Sequence, residues 1–456
     1  MSTSGPLRIG TGAGFADDRI EPAAALAEAG AVDVLVFECL AERTVAREAL
    51  ARRDDPEAGF NPYLRARMEA VLPAACRNGI RIVSNMGAAN PAGGARATVD
   101  VARGLGLGGV SCAAVTGDDV TDLVRARPDL ALEESGAPVE EVLPRMVAAN
   151  AYLGADAVRL GLETGAQVVL TGRVADPSLF LAPAMHRFGW RPDDRARVAQ
   201  GTAMGHLLEC GAQLTGGCFA DPTRPEKHVP GLADPGMPVA EIDAAGVLTL
   251  TKLPGSGGRI DRRTCTEQLL YEVHDPARYP TPDCTLDMTA IELTEVGESR
   301  VRVTGARAAP PPDTLKVLVA CEDGFIGEGQ VGFAGPGAVE RARLAGEVVV
   351  ERLRRRGLPF DDMRVDLIGL TSLHGDAAPS ARGPGPYEVR LRVAARSPLR
   401  TAAAAVAYEV RAMHVNGPAG AGGGMAFPVR EVLAIQSVHL PRALVCPSVE
   451  LFGSTP

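Results

Sequence analysis

Five short apolar runs, each broken by a glycine or small residue and then by charge, constrain this chain more than any other feature. They are Leu7 to Gly10, Val32 to Phe37, Ile80 to Ser84, Gly109 to Val115 and Gln167 to Thr171. Between them lie alanine-rich stretches with apolar residues three and four apart, at Glu21 to Ala29, Pro62 to Arg77 and Gly94 to Leu105. Strand-length runs alternating with helix-length ones predict βαβ units. The expected fold is α/β, a mostly parallel, Rossmann-like sheet with helices on both faces, followed by a smaller α+β domain.

Right-handed crossovers would bring the carboxyl ends of those strands to one edge, where ligands of open α/β sheets bind. The residues that follow the strands are therefore the expected site. They are Thr11-Gly-Ala-Gly-Phe-Ala-Asp-Asp18, Glu38-Cys-Leu-Ala-Glu-Arg43, Asn85-Met-Gly-Ala-Ala-Asn-Pro91, Thr116-Gly-Asp-Asp119 and Thr171-Gly-Arg-Val-Ala-Asp176. Each mixes small residues with carboxylate, amide or guanidinium, which suits a polar ligand closely approached by backbone. Gly12, Gly14, Phe15, Glu38, Asn85, Asn90, Thr171 and Arg173 are the candidate substrate contacts. Asp118, Asp119 and Asp176 are candidate acids or bases. Of the adjacent pair, one aspartate is expected to cap the following helix and the other to face the crevice. Arg173 is placed either to grip an anion with its fork or to pair structurally with Asp176.

Beyond residue 190 the alternation gives way to a helix near Asp194 to Cys210, a loop-rich passage from Gly216 to Pro238 and a turn-rich Leu253 to Gly258. His206 and Glu209 form a His-x-x-Glu step on that helix, with both side chains on one face. The step suits either a metal pair or an imidazole oriented by a carboxylate for acid/base work. No third ligand stands at fixed spacing, and the metal question stays open. His274, before Asp275-Pro276, is a second candidate base. Lys316 interrupts a strand and is a further candidate substrate contact. Strand-type alternation dominates past residue 280, which sets the expected domains at 1–278 and 279–456.

Several classes fall away. A net charge of −9 argues against a nucleic-acid footprint. Arg352 to Arg356 reads as a solvated helix end. The amino terminus shows no basic segment, apolar core and cleavage site of a signal peptide, and no apolar run is long enough to cross a bilayer. A cytoplasmic protein without a membrane partner is expected, with homo-oligomerisation. Nine scattered cysteines without a Cys-x-x-Cys pair suggest reduced, buried thiols. There is no Gly-x-Ser-x-Gly elbow, Walker loop or His-Glu-x-x-His. Gly10-Thr-Gly-Ala-Gly14 sits between strand and helix but has Phe15 where a dinucleotide fingerprint continues.

These segments together resemble the acyclic terpene utilisation family. The resemblance runs from Arg8 to about Arg355, through Val34 to Thr44, Gly79 to Pro91, Thr171 to Ser178, Gly205-His-Leu-Leu-Glu-Cys210, Leu269 to Pro276 and Gly324 to Gln330. It implies a place in the breakdown of branched, isoprenoid-like acids through acyl-CoA intermediates. Some members carry a further small carboxyl-terminal domain, and this chain is expected to stop before it. The resulting expectation is an enzyme acting on a branched carboxylate or acyl-CoA-type thioester by hydratase, dehydratase or carbon–carbon lyase chemistry. No cofactor is assigned, and coenzyme A enters only as part of the substrate. His206 is the expected base, oriented by Glu209. The alternatives are a nucleotide-dependent oxidoreductase and a non-catalytic binding or assembly subunit of an acyl-CoA-metabolising complex.

Overall fold

A computed structural model describes residues 5–378 and 385–453. The chain forms two compact units, residues 1–320 with 435–456, and residues 321–434. The expected boundary at 278/279 lies inside the first unit. The strands just beyond that boundary, Glu292–Gly297 and Arg300–Thr304, hydrogen-bond into the first unit's sheet through Lys252-ended Leu248–Lys252.

At the centre of the first unit are β1 (Leu7–Ala13), β2 (Val34–Phe37), β3 (Arg81–Ser84) and β4 (Ser111–Thr116). After β5 (Met146–Ala151), which lies off the main sheet path, comes β6 (Val168–Thr171), and the neighbour order is β1-β2-β3-β6-β4. All four contacts in this series are parallel. The five apolar runs of the sequence are these five strands.

The wider sheet corrects the Rossmann-like expectation. It has ten strands, and the margins are antiparallel. β7 (Pro238–Ile242) pairs with β1, and β8 (Leu248–Lys252) pairs with β7. Ser448–Gly453 runs antiparallel to β4 at the other margin. A doubly wound sheet reverses its winding beside its first strand, but β7 occupies that place here. Connection length then sets β8: the β7–β8 turn is too short for a crossover, and only an antiparallel pair can be joined that way. The fold is mixed α/β, with a parallel centre and antiparallel flanks.

Successive β1 side chains point to opposite faces. A Cβ on Gly10 would meet Val32 and Leu26 on one side, while Thr11 Oγ1 donates to the Leu208 carbonyl at 2.9 Å on the other. Helices Glu21–Glu28, Leu64–Asn78 and Pro91–Gly104 pack in one series, over a core that includes Leu35, Phe37, Met68 and Leu72. Ala155–Glu163, Asp176–Phe188 and Arg195–Leu208 pack in another. The second unit is the smaller α+β body, antiparallel strands with helices Ala338–Arg355 and Arg400–Asn416 over a core of Val331, Phe333, Val393 and Val406. Among the described residues no helix is long and apolar enough to cross a membrane. Among the described residues no disulfide joins any of the cysteines, and Cys39, Cys112, Cys265, Cys284 and Cys321 are buried.

Candidate functional site

The ends of β2, β3, β4 and β6 converge on one buried guanidinium. Arg173 follows β6 through Gly172 and is 1% exposed. Its Nη1 donates to the Leu40 carbonyl after β2, and its Nη2 to Asp176 and to the Val174 carbonyl. The Tyr152 ring lies 4.4 Å from the guanidinium carbon. Both Nη groups of the fork are therefore taken by the protein while Nε is buried without a partner, and Arg173 stands as the fixed positive centre of the site, held by Asp176 and covered by an aromatic face.

Glu38, at the end of β2, faces this centre. Its Oε1 accepts from the Leu40 amide at 2.8 Å and from Asn85 Nδ2 at 2.9 Å, while Asn85 Oδ1 accepts from the Cys39 amide. Burial, reinforced by the Asp176 charge, pushes the Glu38 carboxyl up to about 8, against the opposing pull of Arg173 and these two donors. Glu38 is thus neutral at pH 7, a proton donor in a carboxylate's place. Asp176 keeps 35% of its side chain open to solvent. Enclosure by protein raises it above the usual aspartate range, Arg173 pulls it down, and Glu272 and Glu42 add to the rise.

His206 and Glu209 come to the same centre from the helix Arg195–Leu208. A Cβ on Gly205 would lie 2.6 Å from Pro177 Cα, so only glycine lets this helix approach the Asp176 turn so closely. His206 Nδ1 and Glu209 Oε1 are 2.9 Å apart, and Nε2 donates to the Leu269 carbonyl at 3.1 Å. A carbonyl only accepts, so Nε2 carries a proton and a second proton is shared along the Nδ1–Oε1 contact. Both ring nitrogens of the expected base are taken. Tyr279 packs on the imidazole with ring centroids 5.2 Å apart. Burial disfavours charge on His206, yet its bond to Glu209 outweighs this and holds it above the ordinary value. Burial raises Glu209 in turn, opposed by His206, and Asp176 and Glu272 push the same way as burial. Glu209 Oε2 is buried without a partner.

The remaining expected residues divide. Asp118 is buried, accepts from the Arg173 amide at 2.8 Å and Asn150 at 3.0 Å, and is raised by burial to about 6. Asp119 turns away and accepts from the Thr121 amide and hydroxyl. Thr171 is buried with its hydroxyl on the Gly172 carbonyl. Lys316 lies at the rim, 3.3 Å from Glu42, which also accepts from Tyr152. Asn90 is elsewhere: it caps the helix Pro91–Gly104 through the Gly93 amide. His274 is exposed in a turn. Phe15 is 55% exposed. A Cβ on Gly12 would strike the Phe37 ring, and one on Gly14 would strike the backbone at Cys210 and Gly211. The Gly14 amide donates to Asp18 Oδ2 at 2.8 Å. A side-chain carboxylate and a neighbouring loop thus occupy the space where a dinucleotide phosphate would need bare backbone. Among the described residues no group of three or more His, Cys, Asp or Glu could hold a metal ion.

Tyr152, Glu272 and Tyr279 belong to the site but carry no strand-end signal, because they arrive from loops and minor strands, whereas Glu42 stands in the segment Glu38 to Arg43 after β2 without being singled out there. Only Glu42 and Glu272 stood inside segments whose order along the chain was informative. That order is decisive: residues 7–451 match the model of the acyclic terpene utilisation family, described as acyclic terpene utilisation family protein AtuA. The chain belongs to this family. The match extends the resemblance through both compact units, well past Arg355. No curated protein and no solved structure matches the chain.

Proposed function

We propose that this chain is an enzyme of branched acyl metabolism that adds or removes water, or cleaves a carbon–carbon bond, next to an acyl carbonyl, with Glu38 as acid and Asp176 as base. The observation that supports it is the pairing of two unlike carboxyls around one buried arginine. Burial raises both carboxyls, Glu38 to about 8, and Asp176 differs in its bond to Arg173 and in the part of its side chain that reaches solvent. Dehydration needs a base for the α-proton and a donor for the carbonyl or the departing hydroxyl, and a retro-aldol cleavage needs the same two groups. Unlike partners, two neutral donors on Glu38 and the Arg173 guanidinium on Asp176, are the basis for giving them these opposite roles.

The filled fork of Arg173 bears on the substrate. With Glu42, Asp176, Glu209 and Glu272 around it, the site offers no free cationic clamp for a carboxylate and disfavours one by charge. A neutral acyl carbonyl, as in a thioester, accepts a proton from Glu38 without that cost. His206 and Glu209 back Asp176 and hold a shared proton behind it.

Purified protein is screened against branched acyl-CoA thioesters with mass-spectrometric detection. Turnover is expected, with Glu38→Gln and Asp176→Asn each lowering it about a hundredfold or more while the fold is kept. The rate is expected to fall as pH rises through about 8, where Glu38 loses its proton. Full turnover by Glu38→Gln would refute the assignment. A nicotinamide fluorescence titration that gives no change separates this reading from an oxidoreductase.

A further inference from the structure

The opposite edge of the same sheet carries a second cluster, at the amino ends of β1, β2 and β3. Arg81 opens β3. Its Nε and Nη2 donate to the carbonyls of Ala166 and Leu162, closing the last turn of the helix Ala155–Glu163. Its Nη1 donates to His186 Nε2, 3.4 Å away, which accepts because a guanidinium nitrogen cannot. Arg81 is half-buried, burial lowers it from the ordinary arginine value, and it has no carboxylate within ion-pair distance. Sheltered cations are normally paired, because the loss of hydration is otherwise uncompensated.

Both groups face a cavity of about 670 Å³. Its lining carries Arg8, Arg81 and Arg187 against one carboxylate, Asp33. Asp33 is already committed to Arg8, at 2.8 Å with further bonds to the backbone amide and Nε. The walls between the charges are apolar, among them Leu7, Val34 and Pro183. The cavity therefore presents a guanidinium without a carboxylate partner, bonded to an imidazole on which only the more distant Glu163 charge acts, beside room for a hydrophobic body.

We infer that this cavity binds a small organic phosphate, its phosphoryl oxygens bridging Arg81 Nη1 and His186 Nε2 and its apolar part lying along Leu7, Val34 and Pro183. A tetrahedral dianion would replace the Nη1–Nε2 bond, accepting from the guanidinium and from the imidazole, whose protonated form the dianion favours. The cavity lies at the amino ends of strands whose carboxyl ends meet around Arg173, and the inference does not rest on the reaction proposed there.

The test titrates the full chain with inorganic phosphate, phenyl phosphate and benzoate by calorimetry at constant ionic strength. Phenyl phosphate is expected to bind about tenfold tighter than inorganic phosphate, and benzoate more weakly than phenyl phosphate. His186→Gln leaves the helix-closing bonds of Arg81 intact and is expected to cost about tenfold in phenyl phosphate affinity, while Arg81→Lys retains part of it. In ring-labelled protein the His186 resonance is expected to move on saturation, ahead of those of the other histidines. Three results overturn the inference: no binding of either phosphate by about 10 mM, affinity unchanged in both variants, or benzoate binding the tighter. Turnover at the other edge is unaffected by His186→Gln, so failure here and failure of the proposed reaction are read separately.

Discussion

Asp118 and Asp119 are neighbours with unlike duties, and the difference is set by one turn. Gly117 has φ +103°, a conformation that glycine takes without strain, and its Cβ-less face lies against the backbone of Cys446 and Pro447. The turn sends Asp118 inward onto the Arg173 amide and Asp119 outward onto Thr121. The sequence announces two acids at a strand end but not which of them faces the crevice, because adjacency does not fix the dihedral angles between them. The structure makes the inner one a positioning residue for the Gly172–Arg173 turn. Replacing Asp118 by Ala strips two buried donors of their acceptor and is expected to cost about 3 kcal/mol, measured by urea denaturation. Asp119→Ala removes only an exposed local cap and is expected to cost about 1 kcal/mol or less. Equal losses in the two variants would contradict this division. His206 teaches the same lesson: its one-face pairing with Glu209 was legible at i and i+3, whereas the Leu269 carbonyl that occupies its other nitrogen comes from 63 residues away.

At the scale of elements, the five central strands are readable because their apolar runs are continuous, as befits strands covered on both faces. The flanks are not. β7 and β8 read as Pro-Val-Ala-Glu-Ile and Leu-Thr-Leu-Thr-Lys, short and partly polar, inside a stretch full of turn residues. The pairing of β7 with β1 and of β8 with β7 depends on register, which composition does not carry. The site has its own element-level requirement, the approach of Arg195–Leu208 to the start of Asp176–Phe188. Gly205 sets it. A Cβ there would meet the Pro177 backbone, which has no rotamer to yield, so the helix must move. Gly205→Ala is expected to destabilise the chain by about 1–3 kcal/mol and to lower turnover by shifting His206 and Glu209 from Asp176, although alanine is the better helix former. Gly79→Ala is the control. Nothing lies within 4 Å of its Cβ position, so it loses only the left-handed helix end, φ +67°, at about 1 kcal/mol, with turnover unchanged. Thermal unfolding and activity measured on both variants separate close packing from backbone strain.

Across the whole molecule, the buried acids dictate how stability follows pH. Burial raises Glu38 to about 8 and Asp118 and Asp283 to about 6, and it raises Asp176 and Glu209 as well. Each binds its proton more tightly folded than unfolded. The stability each contributes is therefore fully present below the ordinary carboxyl range and is lost as pH rises through its folded value. His206, raised by Glu209, acts in the same direction, while burial and Arg81 lower His186, which acts in the other. Between about pH 5 and 8 the chain is expected to lose stability steadily, with any one acid contributing at most about 1.4 kcal/mol per pH unit. Glu38, raised to about 8, contributes to the upper part of that slope. Glu38→Gln keeps the shape, cannot ionise, and can still donate through its amide. Its stability relative to the natural chain is expected to improve as pH rises from 5 to 8, read from urea midpoints at matched ionic strength. Turnover in the same variant is expected to be lost. A site that spends stability to keep a protonated acid near neutral pH shows both effects at once, whereas a glutamate held only for packing would give parallel stability curves and retained turnover.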